Sequence, residues 1–359
     1  MEQTENYNDL LDVLLQPAFS VEQGVITAVN RGAAQLFLEP GTAVESLLAT
    51  GQAEYAQFNG GCLYLTLLPG SEPRSARVIR KGGADIFILD PQEDLSQLNA
   101  LALAARELRN PLADILATVD RLFPAIDEQE DPAVQQGMAA INKGLFRLQR
   151  LVCNMSDASR YRTLCRKQTV ELQEMLGKLL SEAAYLCREA GVTLDYQNLK
   201  QSLYCSADAE MLERAIYNLI SNSLKFSPKG STVGFSAVKR GSRVYLTVTD
   251  SGSGISPDLY VGISRRYIRE PGIEDGRFGI GLGMAMVQAA AAAHGGVVLF
   301  DPSREQGAQI TLTLSLDDSK STSVRSDIYT VDYAGERHHG LIELSDSLPA
   351  HVYGTADID

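Results

Sequence analysis

Two long apolar stripes separated by an acidic turn restrict this chain more than any other feature. Leu95, Leu98, Leu101, Ala102, Ala105, Leu108, Leu112, Ile115, Val119 and Leu122 recur at three- and four-residue steps, the period of a helix with one wide apolar face. Val134, Met138, Ile141, Leu145, Leu148, Val152 and Met155 follow at heptad-like spacing. Pro124 and the run DEQEDP read as the turn, so residues 94–160 are expected to form an antiparallel helical hairpin. Such a hairpin cannot bury both stripes alone, and pairing with a second copy into a four-helix bundle is the natural solution. Pro111, inside the first stripe, removes one backbone hydrogen bond and is expected to bend the axis.

The flanking segments have other periods. In residues 1–90, FSVEQGVITAVN reads as two strands around Gly24, RGAAQLFL as a short helix stopped by Pro40-Gly41, and GGCLYLTLLPG, RSARVIR and ADIFILD as three further strands. Residues 166–316 mix helices (SEAAYLCREAG, EMLERAIYNLISNSLKF, GLGMAMVQAAAAAHGG) with a hairpin turning at Arg240-Gly241 and two closing strands, VVLFDP and AQITLTLSL. Residues 317–359 read as a polar linker and a tail whose LIEL and HVY fit a short docking segment. The expected fold class is multi-domain α+β.

Charge and cysteine usage exclude several functions. A formal net charge of −13 argues against a broad nucleic-acid surface, which needs clustered Lys and Arg. The five cysteines form no C-x-x-C pair and have no nearby histidines, so buried small residues in a reducing cytosol explain them better than a metal or disulfide framework. No apolar run approaches the roughly 18 residues of a membrane span, and the acidic start MEQTENYNDL lacks a signal peptide's basic region. The expectation is a soluble cytoplasmic protein.

Three motifs in residues 166–316 carry chemistry. In YNLISNSLKFSP, Asn218 and Asn222 lie one helical turn apart with Lys225 a turn further. An amide oxygen is a hard ligand suited to Mg²⁺, and an ammonium suits phosphate. In TVTDSGSGI, a strand delivers Asp250 into a turn where Gly252 and Gly254 permit close backbone approach. In GIGLGMAMV, Gly279, Gly281 and Gly283 precede a helix whose free N–H groups can face phosphate. Each motif alone also fits a bland reading as exposed amides, an acidic turn or a flexible loop.

In this order, and followed by AHGG, they resemble the GHKL (Bergerat) α/β ATPase sandwich, in the version found in histidine kinases. That resemblance implies ATP and Mg²⁺ as cofactors. It gives Asn218 the place of a catalytic glutamate in other branches, Asn222 the metal, Lys225 a phosphate contact and Asp250 the adenine, with residues 255–280 as a mobile lid. The lid stretch ISRRYIRE lacks the usual phenylalanine pair. Residues 1–90, through GVITAVNRGAAQLF above all, resemble a PAS sensor domain, and residues 1–316 as a whole resemble a sensor histidine kinase.

One departure bears on function. In the family's acceptor motif a histidine precedes Glu-Leu-Arg-x-Pro-Leu; here Arg106 holds that place, while Glu107, Leu108, Arg109, Pro111 and Leu112 remain. The four histidines, at 294, 338, 339 and 351, all lie outside the hairpin. A guanidinium stays protonated and offers no acceptor lone pair, so ordinary histidyl autophosphorylation is expected to be absent. Four residues after the acceptor place stands Asn110, where family members that dephosphorylate their response regulator use Thr or Asn to orient water. Three readings stay open: an ATP-binding protein that docks or dephosphorylates a response-regulator receiver domain; a kinase using another acceptor or a partner chain; and a non-catalytic dimeric switch. A homodimer through the hairpin is the expected assembly.

Overall fold

The computed structural model describes residues 11–354 apart from 12, 71, 82, 91–94, 128–130, 161–164, 255–281, 302–305 and 317–338. Strands β1 (Ala18–Glu22) and β2 (Val25–Val29) form a hairpin. Its turn residues Gln23 and Gly24 have φ of 51° and 80°, the left-handed pair that suits the twist of a tight hairpin. Helices α1 (Arg31–Ala34) and α2 (Gln52–Ala56) follow, then β3 (Cys62–Leu67), β4 (Arg74–Lys81) and β5 (Ala84–Leu89). The five strands make one antiparallel sheet in the order β2-β1-β5-β4-β3. Phe19, Val21, Leu63, Leu65, Val78 and Phe87 fill the core beneath it.

The two stripes form α3 (Leu95–Asp127) and α4 (Pro132–Arg160). The helix continues through Pro124, which corrects the expected position of the turn. A proline forfeits one backbone bond, a local loss that a helix of 33 residues tolerates when packing holds it. Ala105, Leu112, Leu116 and Val119 bury against Leu145 and Val152. Leu108, Ile115 and Leu122, at heptad intervals, remain 49%, 49% and 52% exposed, and Ile141 and Leu148 on α4 are exposed likewise. Each helix therefore carries an apolar line that the hairpin itself leaves uncovered.

Beyond the hairpin come β6 (Gln168–Glu171), α5 (Leu172–Glu189), β7 (Thr193–Gln197), β8 (Tyr204–Ala207), α6 (Ala209–Phe226), β9 (Thr232–Arg240) and β10 (Arg243–Thr249). After them stand α7 (Leu282–Ala293), β11 (Val298–Phe300), β12 (Gln309–Ser315) and α8 (His339–Glu343). Strand β9 shows the alternation of a half-buried strand, with Val233, Phe235 and Ala237 inward. Helices α5, α6 and α7 supply Leu179, Leu180, Ile216, Ile220, Val287 and Ala290 to the same core as Val244, Leu246 and Leu312 of β10 and β12. No helix among the described residues is long and apolar enough to cross a membrane.

The two sheets are continuous. Strand β3 pairs antiparallel with β11, Cys62 opposite Phe300 and Tyr64 opposite Val298, giving one ten-stranded sheet. Beside this seam the buried Glu54 of α2 accepts a hydrogen bond from Thr313 Oγ1 at 3.1 Å and pairs with Arg243 Nε at 3.1 Å. Pairing two edge strands removes exposed backbone donors from both units.

Candidate nucleotide site

Helix α6 organises the site. Asp208 caps it, its Oδ1 accepting the Met211 N–H at 3.1 Å, which satisfies one of the unpaired donors of the first turn. Met211, Leu212, Ile216, Leu219 and Ile220 enter the core. The remaining side is a polar stripe: Arg214, Asn218, Ser221, Asn222 and Lys225 recur at three- and four-residue steps.

Asn218 is buried. Its Nδ2 donates to the Arg214 carbonyl at 2.8 Å and its Oδ1 accepts from Arg150 Nη2 of α4 at 3.1 Å. Asn222, one turn on, and Lys225 are half-buried. Gly283, in the first turn of α7, passes so close that a Cβ there would stand 2.6 Å from Asn218 Oδ1. The structure thus brings Asn218 and Gly283 together. Gly279, Gly281 and the lid stretch 255–280 lie outside the described residues.

Asp250 directly follows the last residue of β10, Thr249, and is buried. Its Oδ1 accepts the Gly252 N–H at 2.9 Å and the Ala308 N–H at 3.0 Å, and its Oδ2 accepts from Ser223 Oγ at 3.3 Å. These donors fix the carboxylate's direction, as a group that receives an adenine amino hydrogen requires. A Cβ at Gly252 would lie 2.7 Å from the Phe226 carbonyl oxygen, so the turn needs glycine to pass the end of α6.

An ionic cluster that no sequence motif marks lies on this stripe. The fully buried Arg214 donates from Nε to Glu343 Oε1 at 2.8 Å and from Nη2 to Asn154 Oδ1 at 2.8 Å. Arg150 stands 3.4 Å from Glu343 Oε2 through Nε and 2.9 Å from Asp346 Oδ2 through Nη1. Asp346 also takes Arg147 Nε at 3.1 Å and Lys225 Nζ at 3.0 Å. Burial pushes the Glu343 carboxyl up, but Arg214 and Arg150 outweigh it and hold the group below its usual range. Asp346 is lowered in the same way, burial being outweighed by Arg150 and Lys225. Burial lowers the Lys225 ammonium, with Asp346 opposing. A buried acid inside LIEL was the available sequence signal, and its partners lie far away in the chain.

Both acids belong to the tail. Leu341, Ile342, Leu344, Leu348, Val352 and Tyr353 are buried among α4, α5 and α6. The Tyr353 ring meets Phe146 edge-on at 5.1 Å, and its hydroxyl donates to the Leu341 carbonyl at 2.9 Å. Each such side chain contributes about 1.5–3 kcal/mol of burial, so the segment is a packed part of the fold.

The donor set fits an adenine nucleotide: an oriented carboxylate at the β10 turn and, on the stripe and the facing helix α4, a lysine and arginines already engaged with anionic oxygens. Among the described residues no group of three or more His, Cys, Asp or Glu is arranged to hold a metal; Asn222 is the amide that resemblance assigns to Mg²⁺.

Comparison with known proteins agrees with this chemistry. Residues 207–318 match the family described as Histidine kinase-, DNA gyrase B-, and HSP90-like ATPase, so this part of the chain is an ATPase domain of that class. Over more than half of its length the chain is also similar to curated sensor histidine kinases. Sensor protein KdpD of Clostridium acetobutylicum is 27% identical over 204 residues, 56% of this chain and 22% of that protein. Sensor histidine kinase RppB of Synechocystis is 28% identical over 222 residues, 60% of this chain and 48% of its own length. The chain thus spans less than half the length of these relatives. Among solved structures, full-length ShkA in complex with AMPPNP is 24% identical, with 61% of this chain and 46% of that chain covered at a TM-score of 0.48.

Proposed function

We propose that this protein is a dimeric, nucleotide-binding member of two-component signalling that lacks a phosphoacceptor of its own and acts on a response-regulator receiver domain by docking or dephosphorylation. The observation that carries the reading is the side chain of Arg106: it is exposed on α3, one turn from the exposed Asn110 and beside the exposed Glu107. That places a permanent cation and an amide on one helix face, open to a partner. The guanidinium suits the acidic phosphorylation pocket of a receiver domain through a two-pronged contact. Asn110 is suited to orient the water that hydrolyses an aspartyl phosphate.

The other roles follow from the same reading. Asp250 receives the adenine, Asn222 holds Mg²⁺ and Lys225 meets phosphate; ATP bound there would supply a transferable phosphoryl group. The heptad line of Leu108, Ile115 and Leu122 supports a second copy of the hairpin as partner. The strand pair, small helices and three-strand run of residues 18–89 support a PAS-like sensor at the front. A second reading, a non-catalytic switch, is favoured by the ion pairs that tie α4, α6 and the tail together.

The test is incubation of the full chain with γ-labelled ATP and Mg²⁺, beside Arg106→His, with Asp250→Ala as the binding control. The expected result is acid-labile label on Arg106→His alone, and nucleotide affinity lowered by about ten- to a hundredfold in Asp250→Ala, the loss of one charge-assisted hydrogen bond. Label on the unaltered chain would overturn the acceptor argument. Label on neither would favour the switch. Unchanged affinity in Asp250→Ala would sink the adenine assignment.

A further inference from the structure

The nucleotide reading assigns nothing to the tail, yet the tail supplies both carboxylates that meet the cations of the α6 stripe. We propose that residues 339–354 are a built-in acidic ligand of the nucleotide site, and that nucleotide phosphate competes with the Asp346 carboxylate for Lys225. The inference rests on the reading of Lys225 as the phosphate-contacting lysine.

Geometry supplies the first argument. Asp346 Oδ2 receives both Lys225 Nζ at 3.0 Å and Arg150 Nη1 at 2.9 Å, and Oδ1 receives Arg147 Nε at 3.1 Å. Three cations converging on one compact anion is also the surrounding a phosphate group requires. Desolvation supplies the second. The side chains of Lys225 and Asp346 are only 10% and 13% exposed, and an ammonium held that far from water needs an anion beside it. The carboxylate meets this need without nucleotide; phosphate meets it with nucleotide; the two anions repel each other if both are present.

Packing sets how far the exchange goes. Leu341, Ile342, Leu344, Leu348 and Tyr353 are buried on both sides of Asp346, and their burial keeps the flanking residues docked when the ion pairs of Asp346 are displaced. The release is therefore confined to the turn of Ser345, Asp346 and Ser347, while α8 stays docked. Because Arg147 and Arg150 belong to α4, the exchange changes the charge balance on the hairpin, which thereby reads nucleotide occupancy.

Hydrogen exchange of the full chain over residues 344–348, with AMPPNP plus Mg²⁺, with ADP and with adenosine, tests this. The expected result is faster exchange with AMPPNP and ADP and none with adenosine, which has no phosphate. Calorimetry should find Asp346→Asn binding AMPPNP about tenfold more tightly than the unaltered chain, as when a competing state is removed, with adenosine affinity equal in both. Unchanged exchange with AMPPNP bound overturns the competition and leaves the nucleotide reading standing. Failure of both proteins to bind AMPPNP or adenosine overturns the two together. The exchange measurement needs no substitution, so the proposal is decided even where Asp346→Asn destabilises the chain.

Discussion

Arg214 and Glu343, 129 residues apart in sequence, form an ion pair of 2.8 Å in which neither side chain is exposed to solvent. Arg214 is on α6 of the ATPase domain and Glu343 is the last residue of α8 in the tail. The pair therefore fixes the tail onto the domain at a point where water cannot substitute for either partner.

Removing one member leaves a buried charge. Glu343→Ala is expected to lower unfolding free energy by about 3–5 kcal/mol, whereas Arg214→Met combined with Glu343→Leu should recover most of it, since apolar residues of similar volume replace a buried pair at little cost. Urea unfolding of the three proteins is the check. Equal stability of Glu343→Ala and the parent would mean that the pair contributes nothing.

The same cluster sets an acid limb. The folded-state pKa values of Glu343 and Asp346 lie below their usual ones, because the arginines outweigh burial. The unfolded chain then binds more protons, so their contribution is present above the unfolded values of about 4 and is lost as pH falls through the folded values. Unfolding midpoints followed below pH 5 should drop more steeply for the parent than for Asp346→Asn. Parallel curves would contradict the Asp346 share.

His294 shows the opposite chemistry with the same sign. Its Nδ1 donates to the Ala290 carbonyl at 2.7 Å and its Nε2 accepts the Asp208 N–H at 2.9 Å, a pattern that only the neutral ring can complete. Burial lowers its pKa, with the Ala290 bond opposing. Stability from this group is full above the unfolded value of about 6.5 and falls as pH drops through the folded value. Ring chemical shifts should keep His294 neutral at pH 6.5. A half-protonated ring there would refute the assignment.

The uncovered heptad line makes a prediction about assembly. Leu108→Glu with Ile115→Glu should convert the proposed dimer to monomer in sedimentation while leaving helix content unchanged, because both side chains are half exposed in the single chain. A parent chain that sediments as a monomer would remove the bundle from the functional reading.

Local pattern determined the elements. The three- and four-residue apolar steps located α3 and α4; alternation bounded by Gly and Pro located β1 to β5; and Asp250, Gly252 and Gly283 were legible because a strand end and a glycine turn constrain only neighbouring residues. The end of α3 was misread at Pro124, since one missing N–H is a weaker constraint than packing along the helix. Tertiary structure alone decided the rest. The β3–β11 seam joins edges whose backbone groups carry no side-chain code. The roles of Arg150, Arg214, Glu343 and Asp346 were hidden because a charged residue in sequence reads as solvent-facing, and only the fold determines which charges are brought together away from water. Asn218 illustrates both limits: its motif was visible, but its bond to Arg150 depends on a helix 68 residues earlier in the chain.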